Sequence, residues 1–133
     1  MKRRQAREHI LQILFQINFH PREEFAQKVK LYLENNDPMD EEMKEFVTSY
    51  VNGVAKNIDE IDKVINEKSK GWKTTRMSNT DVTILRISVY EIVFLKDIPI
   101  NISINEAVEL AKKYSNDDSP GFVNALLGDI VRE

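Results

Sequence analysis

The chain has 133 residues, 41% hydrophobic and 31% charged, with a formal net charge of −3, which bounds it to one globular domain or two small subdomains sharing a core. It has no cysteine, which excludes a disulfide framework and thiolate metal sites and points to a reducing, cytoplasmic setting. No stretch approaches the length of a membrane span, and Glu8, Gln12, Gln16 and Asn18 interrupt the apolar run behind Met1-Lys2-Arg3-Arg4, which is therefore not read as an export signal.

The pattern predicts about seven helices and no sheet. The first runs from about Arg3 to Phe19, with Ala6, Ile10, Ile13, Leu14 and Ile17 on one face, and Pro21 ends it. The second, about Arg22 to Asn35, buries Phe25, Val29 and Leu33 and closes before Pro38. Asp40 caps a third, with Glu41 and Glu42 in its first turn and Phe46, Tyr50 and Val54 facing inward. A short fourth helix after Asn57 carries Ile58, Ile61 and Ile65, with Asp59 and Asp62 on a solvated face. Lys68-Ser69-Lys70-Gly71 is the clearest interior punctuation and divides a helical half of about 1–68 from one of about 72–133.

Ser78-Asn79-Thr80-Asp81 then opens the most apolar helix of the chain, a buried central element in which Arg86 and Glu91 need a partner or a place on the rim. Pro99 breaks it. Ser103-Ile104-Asn105-Glu106 reads as a capping box for a helix from about Ile104 to Tyr114. In the last helix Ser119 caps, Pro120 takes the first position, and Phe122, Val123, Leu126, Leu127 and Ile130 form the apolar face.

Charge is distributed unevenly. Residues 1–9 carry a net +3 from Lys2, Arg3, Arg4 and Arg7 against Glu8, while the rest of the chain carries −6. Cations in a helix's first turn oppose its dipole at a cost of about 0.3–1 kcal/mol each, so a basic cluster there points to a polyanion partner. At about 100° per residue, Arg3 and Arg7 nearly align, and Leu11 and Phe15 continue the side of Arg4 and Arg7. Charge followed by an aromatic along one ridge suits single-stranded nucleic acid, with guanidinium groups on phosphates and rings on bases; a wide core stripe would also explain Leu11 and Phe15. The last helix adds N–H groups near Gly121 and Phe122 able to take a phosphate. Asn124 could read a base edge, and Asp117 and Asp118 could accept from base amino groups. No glycine-rich phosphate loop, metal-ligand cluster or nucleophile–base pair stands out, so neither an enzyme nor a cofactor is expected.

Together these segments resemble the NusB family of bacterial transcription antitermination factors. The likeness rests on Arg3-Arg4-Gln5-Ala6-Arg7-Glu8 leading into Leu11-Gln12-Ile13-Leu14-Phe15-Gln16, on Asp81 through Glu91, on Ile98-Pro99 before Ile104 to Lys112, and on Asp118-Ser119 with Phe122-Val123-Asn124; Trp72 and Arg76 also match. The resemblance implies an all-α fold of two small packed helical bundles without catalysis. It also implies pairing with NusE, a small-subunit ribosomal protein, binding of boxA RNA in nascent ribosomal transcripts, and joining RNA polymerase to suppress termination. By the resemblance Arg3, Arg4 and Arg7 fall in the family's RNA-binding motif, with Lys2 beside them. Asp118 and Phe122 fall at a second RNA-contacting element, and Phe15 and Asp81 fall near the surface that meets NusE. The chain departs from the family pattern at Phe15, Val82, Gly121 and Ala125; a basic side chain is common at 121, so its loss implies a weaker grip on RNA alone. The alternatives are a purely protein-binding helical adaptor and a domain that self-associates as a homodimer.

Overall fold

Helices form wherever apolar residues recur at three- and four-residue spacing long enough to bury one face. The computed structural model describes residues 2–16, 22–35, 39–69, 71 and 73–132. Among these described residues are seven α-helices and no strand: α1 (Arg3–Phe15), α2 (Phe25–Asn35), α3 (Glu41–Lys56), α4 (Ile58–Lys68), α5 (Asn79–Val89), α6 (Ile100–Tyr114) and α7 (Ser119–Val131). The all-α class expected from the sequence is the observed one. Ile17 to Phe19, expected to finish the first helix, and Pro21, Pro38 and Trp72 lie outside the described residues.

The chain forms two compact units, Met1–Ala55 and Lys56–Glu133. In the first, α1 buries Ala6, Ile10, Ile13 and Leu14, α2 buries Phe25 and Val29, and α3 buries Met43, Val47, Tyr50, Val51 and Val54. Leu33 and Phe46 reach only half-burial. A 3-10 turn, Arg22–Glu24, precedes α2. Asp40 caps α3 as expected, its Oδ1 accepting from the Met43 N–H at 2.8 Å.

A polar chain joins α1 to α2. The Tyr32 hydroxyl donates to Gln12 Oε1 at 2.8 Å. Its proton thus committed, it accepts from His9 Nδ1, also at 2.8 Å, while the two rings meet edge to face. Burial pulls the His9 pKa below its usual 6.5, against a smaller opposing pull from Glu8. A base whose folded pKa is depressed takes up its proton more readily when unfolded. Its contribution to stability is therefore present above 6.5 and lost as pH falls through the window just below. Acidification across that window is expected to lower the melting midpoint, and His9→Gln to blunt the drop, as thermal melts at a series of pH values would show.

The second unit is built around α5, which packs on α4, α6 and α7 and buries Val82, Thr83, Ile84, Leu85, Ile87, Ser88 and Val89. Both charges flagged in this helix are paired. Arg86 donates from Nε and Nη2 to the two carboxylate oxygens of Asp62, at 2.9 and 2.8 Å, so Asp62 belongs to an ion pair and not to a solvated face. Glu91, 1% exposed, accepts from Ser103 Oγ at 2.8 Å.

Ser103 is thereby removed from the capping role expected of it. The helix starts one turn earlier, at Ile100, because the Pro99 carbonyl already accepts from the Ile102 and Ser103 N–H groups at 3.0 and 3.1 Å. The central helix also stops ahead of Pro99. After Val89 it widens into a π-helical turn, Tyr90–Leu95, and closes at Lys96, which adopts a left-handed φ of 59°.

The division between units falls ahead of α4, not after it. The punctuation at 68–71 is a turn inside the second unit, where Gly71 takes a φ of 99° that favours glycine and Asn66 Oδ1 accepts from the Thr74 N–H at 2.8 Å.

Candidate nucleic-acid interface

One candidate site, in the first unit, is the start of α1. Lys2 occupies the N-cap in extended backbone without a side-chain cap, and no acidic residue lies in the first turn. Lys2, Arg3 and Arg4 are exposed, and the Arg3 guanidinium lies 5.3 Å from the Phe46 ring centroid, a cation–π contact that steadies one of the three. Arg7 is different: it is 3% exposed. At about 100° per residue it falls between Leu14 and Leu11 on the helical wheel, and both of those are in the core. The stripe is thus wide enough to take in Leu11, as the core reading of that residue held, and the charge-then-aromatic ridge is interrupted. Phe15, at the end of α1, is half-buried.

A separate candidate site, in the second unit, is the start of α7. Its N-cap is Asp118, one residue before the serine expected there, and the Asp118 carboxylate makes no capping bond. Ser119 is buried and engaged elsewhere. Ser115 Oγ donates to Asp81 Oδ1 at 2.6 Å. With that proton committed, Ser119 donates to Ser115 Oγ across 2.9 Å. This relay ties the first turns of α5 and α7 to the last residue beyond α6 and fixes where α7 begins. It also consumes the carboxylate of Asp81, which is only 9% exposed and whose N–H donates to Ser78 Oγ at 3.1 Å. The Phe122 N–H, expected to be open to a phosphate, donates to the Asp118 carbonyl at 3.2 Å.

Two hollows flank this turn. One, of about 390 Å³, is lined by Arg76, Met77, Ser78, Asp81, Asn116, Asp118, Ser119 and Phe122. It brings together Asp118 and Phe122, assigned by resemblance to RNA, with Asp81, assigned to the protein partner. The other, an open groove of about 550 Å³, is lined by Asn101, Ile104, Asn105, Val108, Pro120, Gly121 and Asn124, so Asn124 lies apart from Asp118 and Phe122. Spacing offered no route to Asn101, Asn116 or the placement of Arg76, because these side chains converge from separate segments. Among the described residues no group of three or more His, Cys, Asp or Glu could hold a metal ion, and no helix is long and apolar enough to cross a membrane.

A model of the NusB family matches residues 4–132. The chain belongs to the NusB family. Similar proteins include the transcription antitermination protein NusB of Clostridium novyi (strain NT), 45% identical over 133 residues that cover 99% of each chain. That of Thermoanaerobacter sp. (strain X514) is 43% identical, covering 100% of this chain and 92% of the relative. Among solved structures, T. maritima NusB superposes with a TM-score of 0.91 at 34% identity, covering 100% of this chain and 92% of that one. The same fold is found in a chain from the crystal structure of antitermination factors NusB and NusE in complex with dsRNA, with a TM-score of 0.85 at 24% identity over 96% and 94% of the two chains. This NusB-family chain is a transcription antitermination factor and not an enzyme.

The departure at position 121 can be tested by restoring the charge. A Cβ built at Gly121 meets nothing within 4 Å, so a side chain there enters open space. For Gly121→Lys the gain in helix propensity, about 0.8 kcal/mol, roughly offsets the dipole cost of a first-turn cation. Thermal stability should stay level. The salt dependence of RNA binding should steepen by about 0.7, read by titrating single-stranded RNA at several salt concentrations.

Proposed function

We propose that this chain is the RNA-gripping member of a pair with NusE: it binds single-stranded boxA-type RNA in nascent ribosomal transcripts and, with RNA polymerase, suppresses termination in the cytoplasm. The observation that carries this reading is the exposed trio Lys2, Arg3 and Arg4 at the start of a helix whose first turn holds no acidic residue. The helix dipole disfavours cations there, whereas phosphates favour them. Arg7, buried beneath them, adds to the positive potential without itself reaching a phosphate. At α7, Asp118 and Phe122 supply a base acceptor and a stacking face, and Asn124 a carboxamide for a base edge. Phe15 and Asp81 are proposed for the NusE surface. Asp81 would act there largely by fixing the start of α5, since its carboxylate accepts from Ser115.

The deciding experiment titrates a boxA-type RNA and a scrambled control, each with and without NusE. Three phosphates neutralised by Lys2, Arg3 and Arg4 give a slope of log affinity on log salt of about −2. Preference for the boxA sequence, sharpened by NusE, is the expected result. Equal, weak binding of both RNAs, with NusE still bound, would leave a protein-binding adaptor.

A further inference from the structure

We propose that Ser115 is a positioning residue that couples two partner surfaces of the second unit, so that contact of the protein partner with Asp81 tightens RNA binding at the start of α7. The coupling presupposes the binding of NusE and RNA proposed above; what is new is the residue that carries it.

Ser115 sits just past α6 in extended backbone, its N–H donating to the Ala111 carbonyl at 3.0 Å. From there its hydroxyl reaches two other helices. It donates to Asp81 Oδ1, in the first turn of α5, at 2.6 Å and lies 2.9 Å from the hydroxyl of Ser119, the first residue of α7. A carboxylate only accepts, so the chain runs one way, from Ser119 to Ser115 to Asp81, and each bond polarises the next. Asp81 spends a single oxygen on it. Among the described residues its Oδ2 makes no hydrogen bond, and the residue lines the hollow of about 390 Å³. A donor group of the protein partner can therefore take Oδ2 while the relay stays whole.

The start of α7 depends on this chain because its local supports are weak. Asp118 leaves it without a side-chain cap, whereas Ser78 caps α5. Gly121, a poor helix former, lies in its first turn. The Ser119 N–H donates only within the turn, to the Asn116 carbonyl at 3.0 Å. Such a start belongs to the low-stability end of a fold, and the relay fastens it to the capped start of α5. A partner that fixes the Asp81 carboxylate stiffens the relay and, through it, the turn that carries Asp118 and Phe122. RNA that binds afterwards has less ordering left to do and binds more tightly. By reciprocity, RNA tightens the hold on the protein partner by the same factor.

The test titrates a boxA-type RNA into the full chain with and without saturating NusE, and NusE into the chain with and without that RNA. The wild-type coupling factor should be at least about fivefold and equal in the two directions. Ser115→Ala cuts the relay at its centre and Ser119→Ala at its far joint. In each the factor should fall to about one, while NusE alone still binds as in the wild type. Ser115→Thr keeps the hydroxyl and should restore the coupling. NusE should also slow amide exchange at Phe122 and Val123 in the wild type and in Ser115→Thr, but not in the two alanine variants. A wild-type factor retained by either folded alanine variant would overturn the proposal. So would a loss of RNA affinity of equal size with and without NusE, which is what a merely structural serine gives. Independent binding of NusE and RNA by the wild type would overturn the coupling and leave the pairing standing. Failure of the wild type to bind either one would overturn the pairing as well.

Discussion

Replacing Arg3 and Arg4 together by alanine is expected to weaken binding of single-stranded RNA about tenfold at physiological salt without lowering the melting temperature. Two phosphate contacts removed should reduce the magnitude of the salt slope by about 1.4, which over the range from molar to physiological salt amounts to that factor. The stability side follows from opposing terms. Each arginine removed from the first turn of α1 relieves about 0.3–1 kcal/mol of unfavourable interaction with the helix dipole. Against this stands the Arg3–Phe46 contact at 5.3 Å, worth about 0.5–1 kcal/mol at an exposed site. The sum is near zero or slightly stabilising. Arg7→Ala should behave in the opposite way. At 3% exposure its side chain is part of the packing, and its removal should lower the melting midpoint while changing the salt slope little. If the three arginines instead acted alike in both measurements, the division into surface cations and a buried one would fail.

That division marks how far the sequence could be read. Composition and apolar spacing were enough for seven helices, because each helix here buries a stripe that repeats within a few residues and needs no distant partner to be recognised. The inward faces of α3, α4 and α7 are the clearest cases: Tyr50, Val54, Ile58, Ile61, Ile65, Val123, Leu126, Leu127 and Ile130 are all buried. What spacing could not decide was how wide a stripe the core would claim. In α1 it claimed Leu11 and Arg7, and so cut the predicted ridge.

Capping residues show the same limit. Ser78 caps α5 through the Asp81 N–H, yet Ser103 and Ser119, equally plausible on local grounds, are spent on Glu91 and Ser115. A hydroxyl bonds whatever polar group the fold brings nearest, and in these two cases the competitor comes from another element. The starting cluster Lys2, Arg3 and Arg4 was legible because its charge conflicts with its position. The hollow at α7 was legible only in part: the helix entry with Asp118 and Phe122 stood out from its residues before the family resemblance assigned it to RNA, whereas Arg76 and Asn116 joined them only when separate segments were folded together.

The Arg86–Asp62 pair is the strongest example of information absent from local sequence, since its members are 24 residues apart, and it leads to the second large effect. Arg86→Ala is expected to cost about 1–3 kcal/mol of stability. The pair is partly accessible, with side-chain exposures of 11% and 22%. The freed Asp62 can therefore recover some hydration, which keeps the loss below the about 3–5 kcal/mol of a fully buried broken pair. The fork joins α4 to α5, so the loss should be concentrated in α4: amide hydrogen exchange at Ile61 and Ile65 should accelerate more than at Ile84 and Leu85. Arg86→Lys should recover only part of it, because an ammonium cannot reproduce two parallel bonds to one carboxylate. Combining Arg86→Ala with Asp62→Asn should cost less than the two single changes added together, since the double variant leaves no unpaired charge. Exchange that accelerates uniformly across α4 to α7 would mean that α4 is held by Ile58, Ile61 and Ile65 alone, and that the assignment of this helix to the second unit owes nothing to the ion pair.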